Sequence, residues 1–147
     1  MTNVVVLIKH VPDYAAEWEL SADDHTLDRA SVDGLIDEIN ERAVEEALQI
    51  KEATGGEVTI LCAGPDKATD AIRKALSMGA DKAIHINDAE MHGSDAVQTA
   101  YVLATALGTV EGVELVIAGN EATDGRAGAV PAMIAEYLDL PHLTRLG

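Results

Sequence analysis

The residues best able to do chemistry lie in one stretch, Leu115–Pro131, with the sequence LVIAGNEATDGRAGAVP. An apolar run ends at Gly119, a polar loop follows with Asp124, Gly125, Arg126 and Gly128, and a helix-like stretch opens near Val130. Strand, open loop and helix N-terminus in that order make an anion site. The first amides of a helix have no partner inside it, the macrodipole adds roughly half a positive charge, and glycine lets backbone approach a ligand. The simplest ligand is a phosphate or nucleotide at the carboxyl edge of a sheet. Gly128, Ala129 and Val130 would donate amides, while Lys9 and Arg126 would neutralise charge. The competing reading is that the glycines merely make turns and Arg126 is solvated. The ligand is favoured because residues 119–129, all small or polar, exceed the about 2 to 6 residues usual between a strand and the next helix.

Other chemistries lack their residues. There is no G-x-G-x-x-G after the first strand and no G-x-x-x-x-G-K-[ST], which argues against a dinucleotide fingerprint and a P-loop. His10, His25, His85, His92 and His142 have no metal-ligand spacing, so no metal is expected. Cys62 is the single cysteine, which precludes an internal disulfide, and on an apolar strand it belongs to the core. No G-x-S-x-G elbow is present. The acidic pairs Asp23–Asp24, Asp37–Glu38 and Glu45–Glu46 are expected on solvated faces. These residues describe a binder without catalytic residues of its own.

Alternating elements must position the loop. Val4–Ile8 is a continuous β-branched run, a buried parallel strand. Residues 9–34 form a long excursion with a hairpin through Trp18–Leu20 and Thr26–Leu27. Asn40 is expected to cap a helix running to Ala53, with Ala43, Val44, Ala47 and Leu48 on one face and Gly55–Gly56 as its stop. Val58–Cys62 is the second strand, and a helix over Asp66–Met78 ends at Gly79. Lys82–Ile86 is the third strand, and Ser94 caps a helix to Leu107. Leu115–Ala118 is the fourth strand, Val130–Leu138 the last helix, and a short fifth strand begins near His142. Strand–helix alternation means right-handed crossovers and a parallel sheet, so the fold class is α/β. Loops after the first strand (Lys9–Tyr14), the second (Ala63–Pro65) and the fourth (Gly119–Gly128) then converge on one crevice.

A chain of 147 residues suits a single domain. The absence of Phe and an aromatic content of 3% imply a core of Ala, Val, Ile and Leu. With 26 acidic and 10 basic residues the formal charge is −16, which disfavours nucleic acid and anionic lipid. An anionic ligand must therefore be held by amides and a few placed cations. The lone cysteine, the immediate entry into a strand and the lack of a long apolar run predict a cytoplasmic protein without direct membrane insertion.

The chain resembles the β subunit of electron-transfer flavoprotein, in its actinobacterial form. The likeness runs through VLIKHVPD, INERAVEEALQIKE, AGPDKATDAIRKALSMGADKAIHI and LVIAGNEATDGRAGAVPAMIAEYLDLPHLT. It implies an open, mostly parallel Rossmann-like sheet flanked by helices, of the adenine-nucleotide-binding type. It also implies a heterodimer whose α subunit holds most of the FAD site, while this subunit supplies a wall near the flavin and a structural AMP. Such a complex carries electrons from acyl-CoA and related dehydrogenases to a membrane quinone oxidoreductase.

The resemblance places the nucleotide against Leu7 and Ala63 at strand ends and against Asp37, Glu38, Ile39 and Asn40 before the first long helix. Asp124, Gly125, Arg126, Ala127, Gly128, Ala129 and Val130 would wrap its phosphate, and Tyr14 matches a position that approaches the flavin in some members. The family's C-terminal segment, which docks dehydrogenases and embraces the α subunit, is absent from these residues. Electron-bifurcating members hold a second FAD in place of AMP and carry a Gln two residues before a Gly-Pro. Ala127-Gly128-Ala129-Val130-Pro131 has neither feature, which favours the one-flavin type. Two other classes compete: a stand-alone adenine-nucleotide sensor of the universal-stress type and an adenine-nucleotide hydrolase.

Overall fold

A computed structural model describes residues 1–146. Strand β1 (Val4–Ile8) is buried along its whole length, as a parallel strand covered on both faces must be. The chain next forms β2 (His10–Pro12), an excursion, and β3 (Gly34–Ile36), which pairs antiparallel with β2. Helix α1 (Glu38–Thr54) leads to β4 (Val58–Ala63), and α2 (Thr69–Met78) to β5 (Lys82–Ile86). Helix α3 (Ala96–Gly108) then crosses to β6 (Leu115–Ala118), and α4 (Val130–Tyr137) follows. The main sheet has four parallel strands in the order β5-β4-β1-β6. This is the open α/β sheet flanked by helices that the alternation predicts.

The two-residue period of the strands sorts the core into halves. Val4, Val6, Ile8, Ile60 and Cys62 pack with Ala43, Val44 and Ala47 of α1 and Ala71, Ile72 and Ala75 of α2. Val5, Leu7 and Leu61 face the other way, onto Ala100, Leu103, Ala104 and Leu107 of α3 and Ile134 of α4. Alanine at the contact positions lets helices sit close on the sheet. The order reverses beside β1, because β4 lies on one side of it and β6 on the other. A crevice therefore opens beyond the carboxyl ends of β1 and β6.

Several boundaries differ from the sequence reading. Helix α1 is capped by Asp37, whose carboxylate accepts from the Ile39 amide, and Asn40 lies within the first turn. Its other end matches expectation, with Gly55 at φ 81°. Helix α3 is capped by Asp95 instead of Ser94, in a capping box with Gln98. The segment before α2 tightens into a 3-10 turn over Asp66–Ala68. The excursion has the expected hairpin, marked by an antiparallel bridge between Leu20 and Leu27. The strand expected near His142 is not formed. Leu140, Leu143 and Leu146 recur every third residue, which matches no sheet face, and Leu143 is 81% exposed. Among the described residues no helix is long and apolar enough to cross a membrane.

Candidate functional site

At the end of β1 the Lys9 amide donates to Asn40 Oδ1 at 2.8 Å, and the Asp37 amide donates to the Lys9 carbonyl at 3.0 Å. Asp37 is wholly buried, not the solvated acid that its pairing with Glu38 suggests. Its Oδ1 accepts from the Ile39 amide at 3.1 Å, while Oδ2 accepts from the Thr123 amide at 2.7 Å and the Thr123 hydroxyl at 3.1 Å. A carboxylate removed from water needs such a set of donors. One side chain thus ties the start of α1 to the loop after β6. Gly119 permits the approach: a Cβ there would lie 2.7 Å from Ile39 Cγ2 and 2.9 Å from Asn40 Nδ2.

Asp124 is a second internal anchor, its side chain 1% exposed. Oδ1 meets Lys9 Nζ at 2.8 Å and the Gly125 amide at 2.7 Å, and Oδ2 lies 2.7 Å from Arg29 Nη2. Burial alone would push this carboxyl up. The hydrogen bonds and charges of Lys9 and Arg29 outweigh it and hold Asp124 below the usual carboxylate range. The sequence reading missed Arg29. Its one local signal is a lone cation in an acidic stretch that includes Asp23, Asp24, Asp28 and Asp33.

The outer part of the loop is open. Arg126, at φ 50°, pairs with Glu121 of the same loop at 2.8 Å, so its charge is spent locally. Gly125, Arg126, Ala127 and Gly128 are exposed, and Gly128 has φ 65°, a conformation that glycine adopts without strain. Among the described residues, the amides of Ala127, Gly128 and Ala129 donate to no protein oxygen. Helix α4 then starts at Val130 with proline in its first turn and no side-chain cap. Three unpaired amides and an uncapped helix start thus share a rim with the half-exposed Lys9.

The fold gathers Lys9, Asp37–Asn40 and Thr123–Val130 at the carboxyl edge of β1 and β6. The Leu7 side chain lies in the core under α3 and α4, so only the end of its strand reaches the crevice. Ala63 is half-buried at the end of β4, Glu38 is exposed and Ile39 half-buried. Tyr14 stands on the excursion, 77% exposed. Cys62 is buried beneath this edge, and burial pushes its thiol up to about 11. Two cavities lie elsewhere. One of about 450 Å³ lies under the amino ends of β1, β4 and β5, and one of about 310 Å³ lies beside α3.

A family model described as "Electron transfer flavoprotein domain" matches residues 24–146. The chain is 67% identical to "Electron transfer flavoprotein subunit beta" of Mycobacterium tuberculosis over 151 aligned positions, covering 99% of this chain and 57% of that protein. Identity to the protein of the same name in Mycobacterium leprae is 65%, with the same coverage. "Protein FixA" of Sinorhizobium fredii is 37% identical over 97% of this chain and 51% of its own length. The chain spans about half the length of the curated relatives it matches.

Proposed function

This chain belongs to the electron transfer flavoprotein family, and from that membership we propose that it is an electron-transfer subunit that holds AMP as a structural ligand and pairs with an FAD-carrying alpha subunit. Residues 1–147 act in this reading as one adenine-nucleotide-binding domain. The observation that carries it is the rim of unpaired amides at Ala127, Gly128 and Ala129, directly before the uncapped start of α4. A phosphate supplies the acceptors that these donors lack, and the helix dipole favours its charge.

The unpaired amides and Lys9 suit the phosphate of an adenylate. Ala127, Gly128, Ala129 and Val130 would hold its phosphate through backbone groups, with Lys9 adding charge. Asp124, Gly125 and Arg126 shape the loop instead of touching the anion through their side chains, because the first faces inward and the third is paired with Glu121. Asp37, Glu38, Ile39 and Asn40 form the opposite wall, with Leu7 and Ala63 at the strand ends beneath. AMP here has no reaction to perform. It fills a polar rim and stabilises by mass action the surface that a partner meets.

The flavin, when bound in the assembly, supplies the redox chemistry. This chain contributes position and exclusion of water, and Tyr14, exposed on the excursion, is its proposed contact with the flavin. Acyl-CoA dehydrogenases are the proposed electron donors and a quinone oxidoreductase the proposed acceptor, in the cytoplasm and on fatty acid oxidation. No residue here is assigned a catalytic role. Co-expression with the alpha subunit tests the reading. A yellow complex containing both chains is expected. A colourless chain that ignores the alpha subunit and responds to ATP by changing conformation would replace this reading with that of a nucleotide sensor.

A further inference from the structure

Arg29 belongs to no motif, yet it makes a long-range ion pair of the site, 2.7 Å from the buried Asp124 carboxylate. Its position is not left to chance. The base of the excursion is closed by the Asp13 amide on the Asp33 carbonyl, and its hairpin by the Leu20–Leu27 bridge. Lys67 Nζ holds the Ala30 carbonyl at 3.1 Å, and at the tip His92 pairs with Asp24 at 2.7 Å. An ordered strap therefore delivers one guanidinium to one carboxylate. Arg29 Nη1 is sealed from solvent and has no acceptor among the described residues, while Nη2 reaches Asp124 and the side chain as a whole stays 37% exposed.

The charges decide what this pairing does. Asp124 meets two cations, Lys9 on Oδ1 and Arg29 on Oδ2. Of the other charges at the edge, the exposed Glu38 on the opposite wall has no paired cation among the described residues. Asp37 is turned onto the start of α1, whose dipole offsets it, and Glu121 is matched by Arg126. With Arg29 present the Lys9–Asp124–Arg29 group keeps one surplus positive charge beside the amides of loop 119–129. Without Arg29 the Lys9 ammonium would be consumed by Asp124, and an anion would meet a rim with no spare cation on a molecule of charge −16.

We infer that Arg29 is a positioning residue of the nucleotide site: it takes up the Asp124 carboxylate, which fixes the loop and leaves the charge of Lys9 available to a phosphate. This inference rests on the reading of the rim as a nucleotide site. Its specificity consequence is a preference for a phosphorylated ligand over the neutral nucleoside, set by a residue whose own charge is engaged by Asp124.

The test is titration of AMP and of adenosine into the wild-type chain, Arg29→Met and Arg29→Lys, with hydrogen exchange measured on the ligand-free proteins. Arg29→Met is expected to weaken AMP by about tenfold or more while adenosine changes by less than about twofold, since only the charged ligand feels the lost surplus. Arg29→Lys should recover most of the AMP affinity. Equal weakening of both ligands, or of neither, would overturn the inference. If the wild-type chain binds neither AMP nor adenosine, the nucleotide reading fails by itself, and hydrogen exchange then decides the role of Arg29. Exchange at Thr123 and Gly125 should quicken by about tenfold in Arg29→Met, with β1 and β4 amides unchanged. Unaltered loop exchange would overturn the positioning role.

Discussion

The carboxylate of Asp37 accepts both the amide and the hydroxyl of Thr123, at 2.7 and 3.1 Å, while capping α1 through the Ile39 amide. This contact joins the segment after β1 to the loop after β6 and so fixes the two walls of the crevice against each other. Replacement of Asp37 by Ala removes a helix cap and strands the Thr123 amide. We expect a loss of about 2–4 kcal/mol, the sum of a cap and a buried unmet donor. Urea unfolding measures it. A loss under about 0.5 kcal/mol, the range of ordinary surface changes, would mean the contact does not hold the loop.

Gly119, directly after β6, lies against the first turn of α1. Gly119→Ala places a methyl group against Ile39 Cγ2 and Asn40 Nδ2, and overpacking of this kind costs about 1–3 kcal/mol. Ile39→Ala removes one of the two obstructions, so the double variant should be more stable than the sum of the single losses predicts. Strict additivity in thermal melts would show that the clash is relieved elsewhere.

Acid should loosen the site through Asp124. Its folded pKa is held below the ordinary range by Lys9 and Arg29. It therefore contributes stability that is fully present above the unfolded value of about 3.9 and is lost as pH falls through the folded value. Unfolding free energies measured between neutral pH and pH about 3 should fall less steeply for Asp124→Asn than for the wild type, with the variant already weaker at neutral pH. Parallel pH profiles would remove Asp124 from the account.

Cys62 is wholly buried, and its thiol is pushed up to about 11 by burial. An aromatic disulfide reagent at mildly alkaline pH should leave it unmodified in the native protein and react fully once the protein is unfolded. Rapid reaction of the folded chain would mean that the core between the sheet and helices α1 and α2 opens readily.

Much of the fold was legible because it rests on local pattern. The runs Val4–Ile8, Val58–Cys62 and Leu115–Ala118 are apolar, β-branched and bounded by turn residues, and their strands fall where that pattern places them, the second extended by Ala63. Gly55 and Gly79 end helices as their position suggests. What escaped depends on partners far away in the chain. Asp37 outcompetes Asn40 as the cap of α1 because it also bonds Thr123. Strands β2 and β3 are three residues each and carry no measurable period. Arg29 acquires its role only when the excursion folds back onto Asp124. The loop 119–129 was visible as an anomaly of length and composition. That Asp124 faces inward and Arg126 is matched by Glu121 was not, because each depends on a side-chain pairing made in the fold.

The most direct test of the central claim is the mass of whatever small molecule heat releases from the purified chain and from Gly128→Val. Valine at φ 65° is strained and projects a branched side chain at the rim where the phosphate would lie. AMP is expected from the wild-type protein in near-stoichiometric amount and from Gly128→Val at about one tenth of that or less, the effect of losing roughly 1.4 kcal/mol of binding or more. Equal AMP from both proteins, or none from a wild-type chain that still pairs with its flavin-bearing partner, would contradict it.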